Sequence, residues 1–391
     1  MSDHIIISNI SDDPFAIDIG HMCGQREDIS DIISMKVYAN TEFCPRFISD
    51  EQDMDHIGSH LDGKTVIVCS AAGPNNTRGA LAMRNMILAR TAKDNGAKRV
   101  ILVEPDLFFS AQDRGPHRGV GEQQRTALDL KKFDGQPFTA KLYAELLKTA
   151  GVDVVITVHN HSLKVQRIFS DLFGGQFHNL YPADLYADYI KSSDMLMTGK
   201  RGDNLVLCSP DEGAVSFVDA VWEVLALPRC ARIVMHKERS GERQVKVSIR
   251  PGSDLSLQSI ENKHVIVLDD MVRTGSTIVE CCRVLRQGNP GRICFGVTHF
   301  LAGPESRENL NSKYIDEILT LNTVPSVLNR DSQGRLRKKM VVLKIEKWIA
   351  RFLLNYLALD ASQFANDFYS IDMSSKNPRW RSHNGTHSSK P

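Results

Sequence analysis

The sequence predicts an α/β fold with two domains in tandem, each built on a mainly parallel sheet that is flanked by helices. Short apolar runs rich in β-branched residues alternate with helical stretches, which is typical of parallel sheets covered on both faces. The chain has 391 residues and 42% hydrophobic content, which is enough for two domain cores. Both halves also share one plan, in which a strand ends in a polar turn.

The predicted strands and helices follow in chain order. The first domain contains the apolar runs KTVIVCS, RVILVE and DVVITV, and the segments near residues 78–94 and 140–149 between them are predicted helices. The second domain contains the runs NLVLCS, ARIVMH, HVIVLDD and RICFGVTH, with a further strand near Ile318. These runs indicate parallel strands in both domains.

The most informative segment has the sequence VIVLDDMVRTGST, at residues 265–277. Its β-branched run ending at Leu268 predicts a buried strand, so Asp269 and Asp270 lie at the carboxyl end, where open α/β sheets bind ligands. Adjacent carboxylates suit the paired hydroxyls of a ribose. The following turn supplies backbone N–H groups and hydroxyls at a helix N-terminus, which favours a phosphate, and consists of Thr274, Gly275, Ser276 and Thr277. The simpler interpretation is a strand, an Asp-rich turn and an ordinary helix cap.

A basic segment, HKERSGERQVKV, begins at His236 and follows an apolar strand. Lys237 and Arg239 are separated by one residue, so in an extended chain both side chains point to the same side and can converge on phosphates. A solvated basic loop is the alternative interpretation. The position of the segment, between two strands at the ligand-binding edge, favours the phosphate interpretation.

Composition argues against several classes of function. The 48 Lys and Arg against 47 Asp and Glu give a net charge of +1, so bulk nucleic-acid binding is not expected. No apolar run approaches the ~18 residues of a membrane span, and no signal peptide is found, so we expect a cytoplasmic protein without a membrane anchor. The eight Cys are scattered, which predicts reduced and mostly buried thiols. The sequence contains no P-loop motif.

Several motifs together resemble one family of enzymes. The segment around Asp269 resembles the phosphoribosyl-diphosphate signature of the type I phosphoribosyltransferase fold. Further segments resemble ribose-phosphate diphosphokinases in the same order along the chain, across roughly residues 60–360. They are FTAKLYAELLKTAGVDVVITVHNHSLKVQ from Phe138, CSPDEG from Cys208, HKER from His236, VTHFLAGPES from Val297 and LNTVPS from Leu321. The resemblance implies two tandem phosphoribosyltransferase-like domains.

The resemblance also sets the expected domain boundaries. Residues 1–30 fit the family poorly and are expected to form an N-terminal extension. Residues 31–181 are expected to form the domain on the ATP side, and residues 182–360 the domain that carries the ribose-phosphate loop. Residues 361–391 form a polar tail that is expected to be disordered.

The resemblance implies a diphosphokinase that uses Mg²⁺, ATP and ribose 5-phosphate. Asp269 and Asp270 then bind the ribose hydroxyls and residues 274–277 bind the 5-phosphate. Lys237 and Arg239 stabilise the transferring diphosphoryl group, and His161 and Asp211 match positions near the metal. The implied ATP-binding residues are Gln112, Asp113 and Arg114, together with Phe47, Asp50 and Glu51 in a loop lent by a neighbouring subunit. A homo-oligomer with its ATP site at a subunit interface is therefore expected.

Three residues depart from the family pattern and leave alternatives open. Ala111 replaces an Arg of the ATP-binding segment, unless Arg118 or Arg125 substitutes for it, and His159 replaces an Asp. Arg273 stands where the family's diphosphokinases usually carry an acidic residue, and an added cation favours a more anionic acceptor. The alternatives are a diphosphokinase acting on a larger ribose phosphoester such as ADP-ribose, a phosphoribosyltransferase, and a non-catalytic regulatory subunit.

Overall fold

The computed structural model describes residues 3–50, 52–72, 76–118, 124–193, 201–240, 244–301 and 303–372. For residues 237–240, 244–247 and 332 the description is limited to the backbone. The chain divides into two compact units. Unit 1 comprises Met1–Leu180 and Glu346–Asn366, and unit 2 comprises Tyr181–Ile345 and Asp367–Pro391. Among the described residues, no helix is long and apolar enough to cross a membrane.

Unit 1 is built on a five-stranded sheet in which every neighbouring pair is parallel. The predicted apolar runs form its centre, and all five residues of the strand VVITV are buried because helices cover both faces. The strands, in the spatial order β1-β4-β5-β6-β7, are β1 His4–Ser8, β4 Thr65–Cys69, β5 Arg99–Val103, β6 Val154–Val158 and β7 Phe177–Leu180. A separate antiparallel hairpin consists of β2 Ile33–Val37 and β3 Phe43–Phe47.

The helices of unit 1 begin and end at residues that suit helix termini. Thr77 accepts a hydrogen bond from Ala80 N at the start of the longest helix, and Ser162 accepts one from Val165 N. Gly151 ends another helix with a left-handed backbone, φ 104°. The helices are α1 Pro14–Met22, α2 Ile29–Ile32, α3 Arg78–Asp94, α4 Ala127–Lys131, α5 Thr139–Ala150 and α6 Leu163–Leu172.

Unit 2 is built on an eight-stranded sheet whose six central strands are parallel, with one antiparallel strand at each edge. The strands, in the spatial order β10-β9-β8-β11-β12-β13-β14-β15, are β8 Leu205–Ser209, β9 Ala231–Ser240, β10 Gln244–Ile249, β11 His264–Val272, β12 Arg292–Phe300, β13 Glu317–Leu321, β14 Met340–Lys344 and β15 Ser370–Ile371. The helices of this unit are α7 Ala183–Ser192, α8 Val215–Leu225, α9 Ser276–Leu285, α10 Pro304–Leu310 and α11 Arg330–Gln333. The mainly parallel sheets confirm the predicted fold class.

The first 30 residues differ from the predicted extension. Strand β1 pairs in parallel with β4 in the register Ile6↔Ile67, and both Ile6 and Ile7 are fully buried. Helix α1 packs against β1. The apolar run HIIIS therefore forms an edge strand of the unit 1 sheet, because its side chains are buried only when the strand joins that sheet.

The C-terminal region also differs from the predicted boundaries. The twelfth helix, α12 Glu346–Tyr356, belongs to unit 1 and not to the second domain. The Phe352 ring lies 5.4 Å from the ring of His178, and Tyr356 OH donates to Gln176 Oε1 at 2.7 Å. Within the tail, Ile371 pairs with Leu343 on β14, so this part is ordered as a strand. Residues 373–391 lie outside the described residues.

Candidate active site

The acidic pair lies on the strand β11, at the centre of the unit 2 sheet. Asp269 and Asp270 are half-buried, and the backbone N–H of Asp270 donates to Asp269 Oδ1 at 2.9 Å. The strand continues past the predicted end at Leu268, because β11 stays paired with β12 as far as Val272↔Phe300. On the other side β8 pairs only as far as Val267↔Cys208. The acidic pair therefore occupies the carboxyl-terminal end of the strand, beyond the end of β8.

A third carboxylate, Asp211, lies close to this pair. Asp211 lies two residues after the end of β8, and its side chain accepts a hydrogen bond from Gly213 N at 2.9 Å. Burial and the negative charges of Asp270 and Asp211 raise the pKa of Asp269 well above its usual range. The sequence prediction gave Asp211 and Asp269 separate roles, and the structure brings them together in one acidic cluster, which we define as Asp211, Asp269 and Asp270.

The turn after β11 is shaped for an anion. Gly275 precedes the first residue of α9 and has a left-handed backbone, φ 74°. A Cβ at this position would lie 2.9 Å from Leu310 Cγ, so neither the backbone conformation nor the space suits another residue. Thr274 Oγ1 lies 3.2 Å from Ser276 Oγ, and both side chains are exposed. Hydroxyls and helix N–H groups thus face the same turn.

A side chain from α10 holds this turn in place. Asn309 Nδ2 donates to the backbone oxygen of Thr274 at 3.0 Å, and Leu310 packs beneath Gly275. Neither residue was predicted from the sequence. The preceding Gly-Pro, with Pro304 at the first turn of α10, marked the start of a helix but not its contact with residues 35 positions earlier.

The basic segment forms an antiparallel hairpin of β9 and β10. Lys237 and Arg239 are positions of β9, and they pair with Val247 and Val245 of β10. Alternation along a strand places positions 237 and 239 on one face of the hairpin. Residues 241–243 lie outside the described residues, and the side chains of residues 237–240 are not described.

The predicted ATP segment in unit 1 is tied to the turn that carries His161. Asp113 Oδ2 accepts a hydrogen bond from Ser162 Oγ at 2.8 Å, and Ser162 is the N-cap of α6. Asp113 Oδ1 lies 3.7 Å from Arg114 Nε. The backbone oxygen of Gln112 accepts from Ala140 N at 3.3 Å. Residues 112–114 and His161 therefore belong to neighbouring turns of unit 1.

The segment after Gly115 places a cation beside these residues. Arg125 donates to the backbone oxygen of Gly115 at 3.3 Å, and its guanidinium lies 5.2 Å from the centre of the Phe133 ring. Arg114 lies over the same ring at 6.0 Å. Arg118 donates instead to the backbone oxygen of Arg125 at 3.2 Å.

The loop that was predicted to serve a neighbouring subunit has a different geometry from the one expected. Phe47 ends β3 and is 4% exposed, whereas a ring lent to another subunit must be accessible. Ile48, the next residue, is 53% exposed. Asp50 is exposed and accepts a hydrogen bond from Gln52 N at 2.9 Å. Glu51 lies outside the described residues.

The two predicted metal ligands belong to different units, His161 to unit 1 and Asp211 to unit 2. Within the part of the chain that the structure describes, no group of three His, Cys, Asp or Glu side chains has the geometry to hold a metal ion by itself. His159, which replaces the usual Asp, is buried and has a left-handed backbone, φ 44°.

Known proteins resemble most of the chain, and one family model matches a part of it. Residues 184–331 match the phosphoribosyl transferase domain. Ribose-phosphate pyrophosphokinase 4 of Saccharomyces cerevisiae is 28% identical over 281 residues, which cover 71% of this chain and 74% of that protein. Ribose-phosphate pyrophosphokinase of Mycobacterium leprae is 27% identical over 288 residues, covering 74% and 75%.

A solved structure has the same fold. The crystal structure of phosphoribosylpyrophosphate synthetase from Mycobacterium smegmatis aligns with a TM-score of 0.68 and 20% identity, over 91% of this chain and 99% of that one. The matched domain, these relatives and the shared fold all agree. The chain therefore contains a phosphoribosyl transferase domain at residues 184–331, and over 71–74% of its length it is similar to ribose-phosphate diphosphokinases.

Proposed function

We propose that the protein catalyses the Mg²⁺-dependent transfer of the β,γ-diphosphoryl group of ATP to the C1 hydroxyl of ribose 5-phosphate. The products are phosphoribosyl diphosphate and AMP. One observation carries this proposal: in unit 2, the acidic pair on β11 is followed directly in the chain by the anion-binding turn before α9. The names of the relatives support it.

The acceptor, ribose 5-phosphate, binds to the acidic pair and to the anion-binding turn. Asp269 and Asp270 accept hydrogen bonds from the ribose hydroxyls, which carry no charge and add none to the crowded cluster. The 5-phosphate receives donors from the turn of Thr274, Gly275, Ser276 and Thr277 and is further stabilised by the helix dipole of α9. Because Asn309 and Leu310 hold the turn before the substrate arrives, little ordering accompanies binding.

A magnesium ion fits the acidic cluster. Magnesium prefers oxygen ligands, and it is usually held by one or two carboxylates together with substrate phosphates, so a complete protein cage is not required. The repulsion that raises the pKa of Asp269 is relieved when a divalent cation lies nearby. One or two carboxylates of this cluster, Asp211 among them, would hold the ion together with substrate phosphates, and His161 of unit 1 is the other proposed metal-binding residue. When bound, the ion neutralises charge on phosphate oxygens.

The nucleotide binds to unit 1 through Gln112, Asp113 and Arg114, and Lys237 and Arg239 stabilise the transferring group. A phosphoryl-transfer transition state spreads negative charge over nonbridging oxygens, so cations that close on it lower the barrier. Positioning and charge neutralisation supply most of the catalysis, and no general base is needed. Arg125, which donates to the backbone oxygen of Gly115, supplies the positive charge that is lost where Ala111 replaces the family's Arg.

We extend the proposal to assembly and location. A homo-oligomer completes the ATP site at a subunit interface, to which the loop with Phe47, Asp50 and Glu51 contributes, and Asp50 is exposed. The protein acts in the cytoplasm, since all eight Cys are free thiols and seven of them are buried, as suits a reducing compartment.

A second candidate is a diphosphokinase for a larger ribose phosphoester such as ADP-ribose. Arg273 favours it, because this exposed cation directly precedes the anion-binding turn and forms no ion pair with a described residue. An additional phosphate on the acceptor gives this cation a partner.

The experiment incubates the purified protein with Mg²⁺ and ATP and adds ribose 5-phosphate, ADP-ribose or no acceptor. The nucleotide products are resolved by chromatography. We expect AMP with ribose 5-phosphate, no AMP from Asp270→Asn, and unchanged turnover from Asp94→Asn, an exposed carboxylate on α3. AMP with ADP-ribose alone supports the second candidate, and no AMP under any condition contradicts both.

A further inference from the structure

A carboxylate in the core of unit 1 has no part in the site described above. Glu104 directly follows β5 and is fully buried. Its Oε1 accepts hydrogen bonds from Ser70 Oγ at 2.8 Å, Asn85 Nδ2 at 2.9 Å and Tyr143 OH at 3.1 Å. Its Oε2 accepts from the backbone N–H of Phe108 at 2.9 Å. Four donors thus converge on one side chain, and they come from the end of β4, from α3, from α5 and from the loop after β5.

Burying this group costs free energy. Among the described side chains, no Lys or Arg forms an ion pair with Glu104, and burial raises the pKa of its carboxyl to about 7. Asp106, in the same loop, raises it further, while the donors from Ser70, Tyr143 and Phe108 lower it. A Leu side chain of similar size would fill the same space without desolvating a charge. A buried acceptor at such a cost indicates a role beyond filling the core.

The hydrogen bond to Phe108 fixes the start of the loop that leads to the ATP segment. Immediately afterwards the chain turns at Phe109, which has a left-handed backbone, φ 61°. The backbone oxygen of Phe109 accepts from the N–H of Gln112 at 2.8 Å. A non-glycine residue in this conformation is strained, and it persists only where the surrounding contacts enforce it. Glu104 provides one of those contacts, because it accepts the hydrogen bond from the N–H of Phe108, the residue before the strained position.

Helix α5 clamps the same loop from the other side. Its first turn donates from Ala140 N to the backbone oxygen of Gln112 at 3.3 Å. One turn further on, Tyr143 donates to Glu104 and packs its ring against Phe108 and Phe109, with ring centres 6.4 and 5.3 Å away. Glu104 is therefore bonded to both sides of this loop: to its start through Phe108 N–H, and to α5, which contacts Gln112, through Tyr143.

We propose that Glu104 is a positioning residue that holds the loop of residues 105–114, and through it Gln112, Asp113 and Arg114, in the conformation that binds ATP. This inference rests on the proposed function for the role of ATP, but the positioning of the loop does not. Glu104 itself touches no substrate, since its side chain is enclosed by Ser70, Asn85, Tyr143 and Phe108.

The test compares Glu104→Leu, which removes both acceptors, with Glu104→Gln, which keeps one acceptor for Phe108 N–H. We expect Glu104→Leu to raise the KM for ATP about tenfold, with a smaller change in kcat and in the KM for ribose 5-phosphate. Glu104→Gln should restore most of the ATP affinity. Hydrogen exchange of a peptide covering residues 105–114 should be faster in the Leu variant than in wild type.

The matched control is Glu317→Leu, since Glu317 is also fully buried and hydrogen-bonds Tyr189 and Arg292 in unit 2. It should leave the KM for ATP and the exchange of residues 105–114 unchanged. If Glu104→Leu does not fold, Tyr143→Phe keeps the ring contacts, removes one donor and should shift both readouts in the same direction.

An unchanged KM for ATP together with unchanged exchange in the Leu or Phe variant overturns the inference. An equal loss of kcat and of affinity for both substrates also overturns it, since that pattern indicates general structural damage. If wild-type protein forms no AMP, the proposed function fails, and the exchange measurement still decides whether Glu104 positions the loop.

Discussion

The protonation of Glu104 should make the stability of unit 1 depend on pH. Its pKa rises from an ordinary 4.5 to about 7 in the folded protein because the carboxyl is buried. A raised pKa means that this group's stabilising contribution is complete below pH 4.5 and is lost as pH rises to about 7. A pKa difference of about 2.5 corresponds to about 3 kcal/mol, so unit 1 should lose about that much unfolding free energy from this group.

Glu104→Gln cannot ionise at this position. Because all other titrating groups are shared with wild type, the difference between the two proteins gives the pH-dependent contribution of Glu104 to the unfolding free energy. Urea denaturation, followed by pulsed hydrogen exchange of β4–β6 peptides, reports on unit 1 separately at each pH from 4.5 to 8. We expect the stability of Glu104→Gln relative to wild type to rise by about 3 kcal/mol across this range. Parallel pH dependences for the two proteins would refute the reasoning.

Three further changes test unit 2. Asp269→Asn removes one of three crowded carboxylates, so it should raise the unfolding free energy of the substrate-free protein in urea denaturation while lowering kcat/KM at least ~100-fold. A destabilised variant would contradict the repulsion between the carboxylates. In Gly275→Ala, the new Cβ would lie 2.9 Å from Leu310 on a left-handed backbone, so the variant should lose about 1–3 kcal/mol of unfolding free energy and have a higher KM for ribose 5-phosphate. The control, Gly303→Ala, should change neither quantity, since nothing lies within 4 Å of its new Cβ. Lys237→Ala should lower kcat about 100-fold or more in the AMP assay, with nearly unchanged KM values. The control, Lys246→Ala, should retain turnover, because Lys246 pairs with Glu238 and lies on the opposite face of the hairpin.

The sequence was sufficient to predict the central strands because their signal is local. The β6 run is apolar throughout and every residue is buried, as the sequence implied. Strand β7 carries His178 and Asn179, and none of its residues is fully buried, so its pattern does not stand out. Strand β15 is two residues long and exists only through pairing with β14. Weak local patterns at sheet edges depend on long-range partners that a linear sequence does not identify.

The candidate site was predictable to the same degree. Asp269 and the turn around Gly275 were predicted because one short segment carries them. The hydrogen bond from Ser162 to Asp113 joins residues 49 positions apart, and that from Asn309 to Thr274 spans 35. Such contacts are set by packing of whole elements, so no spacing rule reveals them. The burial of Phe47 was hidden for the same reason, since an aromatic residue in a loop suggests exposure as readily as burial.

The chain's passage between the units has a consequence for its synthesis. Unit 1 needs α12, which begins at Glu346, and unit 2 needs Ile371 for its last strand. Ribosomes release a chain from its N-terminus onward, and domains that are continuous in sequence can fold before the rest is made. Here the unit 1 sheet is translated early, but His178 and Gln176 lack their helix contacts until Phe352 and Tyr356 have emerged. Neither unit therefore completes its fold until residues 346–371 have been made, and a nascent chain that stalls before residue 346 exposes an incomplete unit 1 to chaperones and proteases.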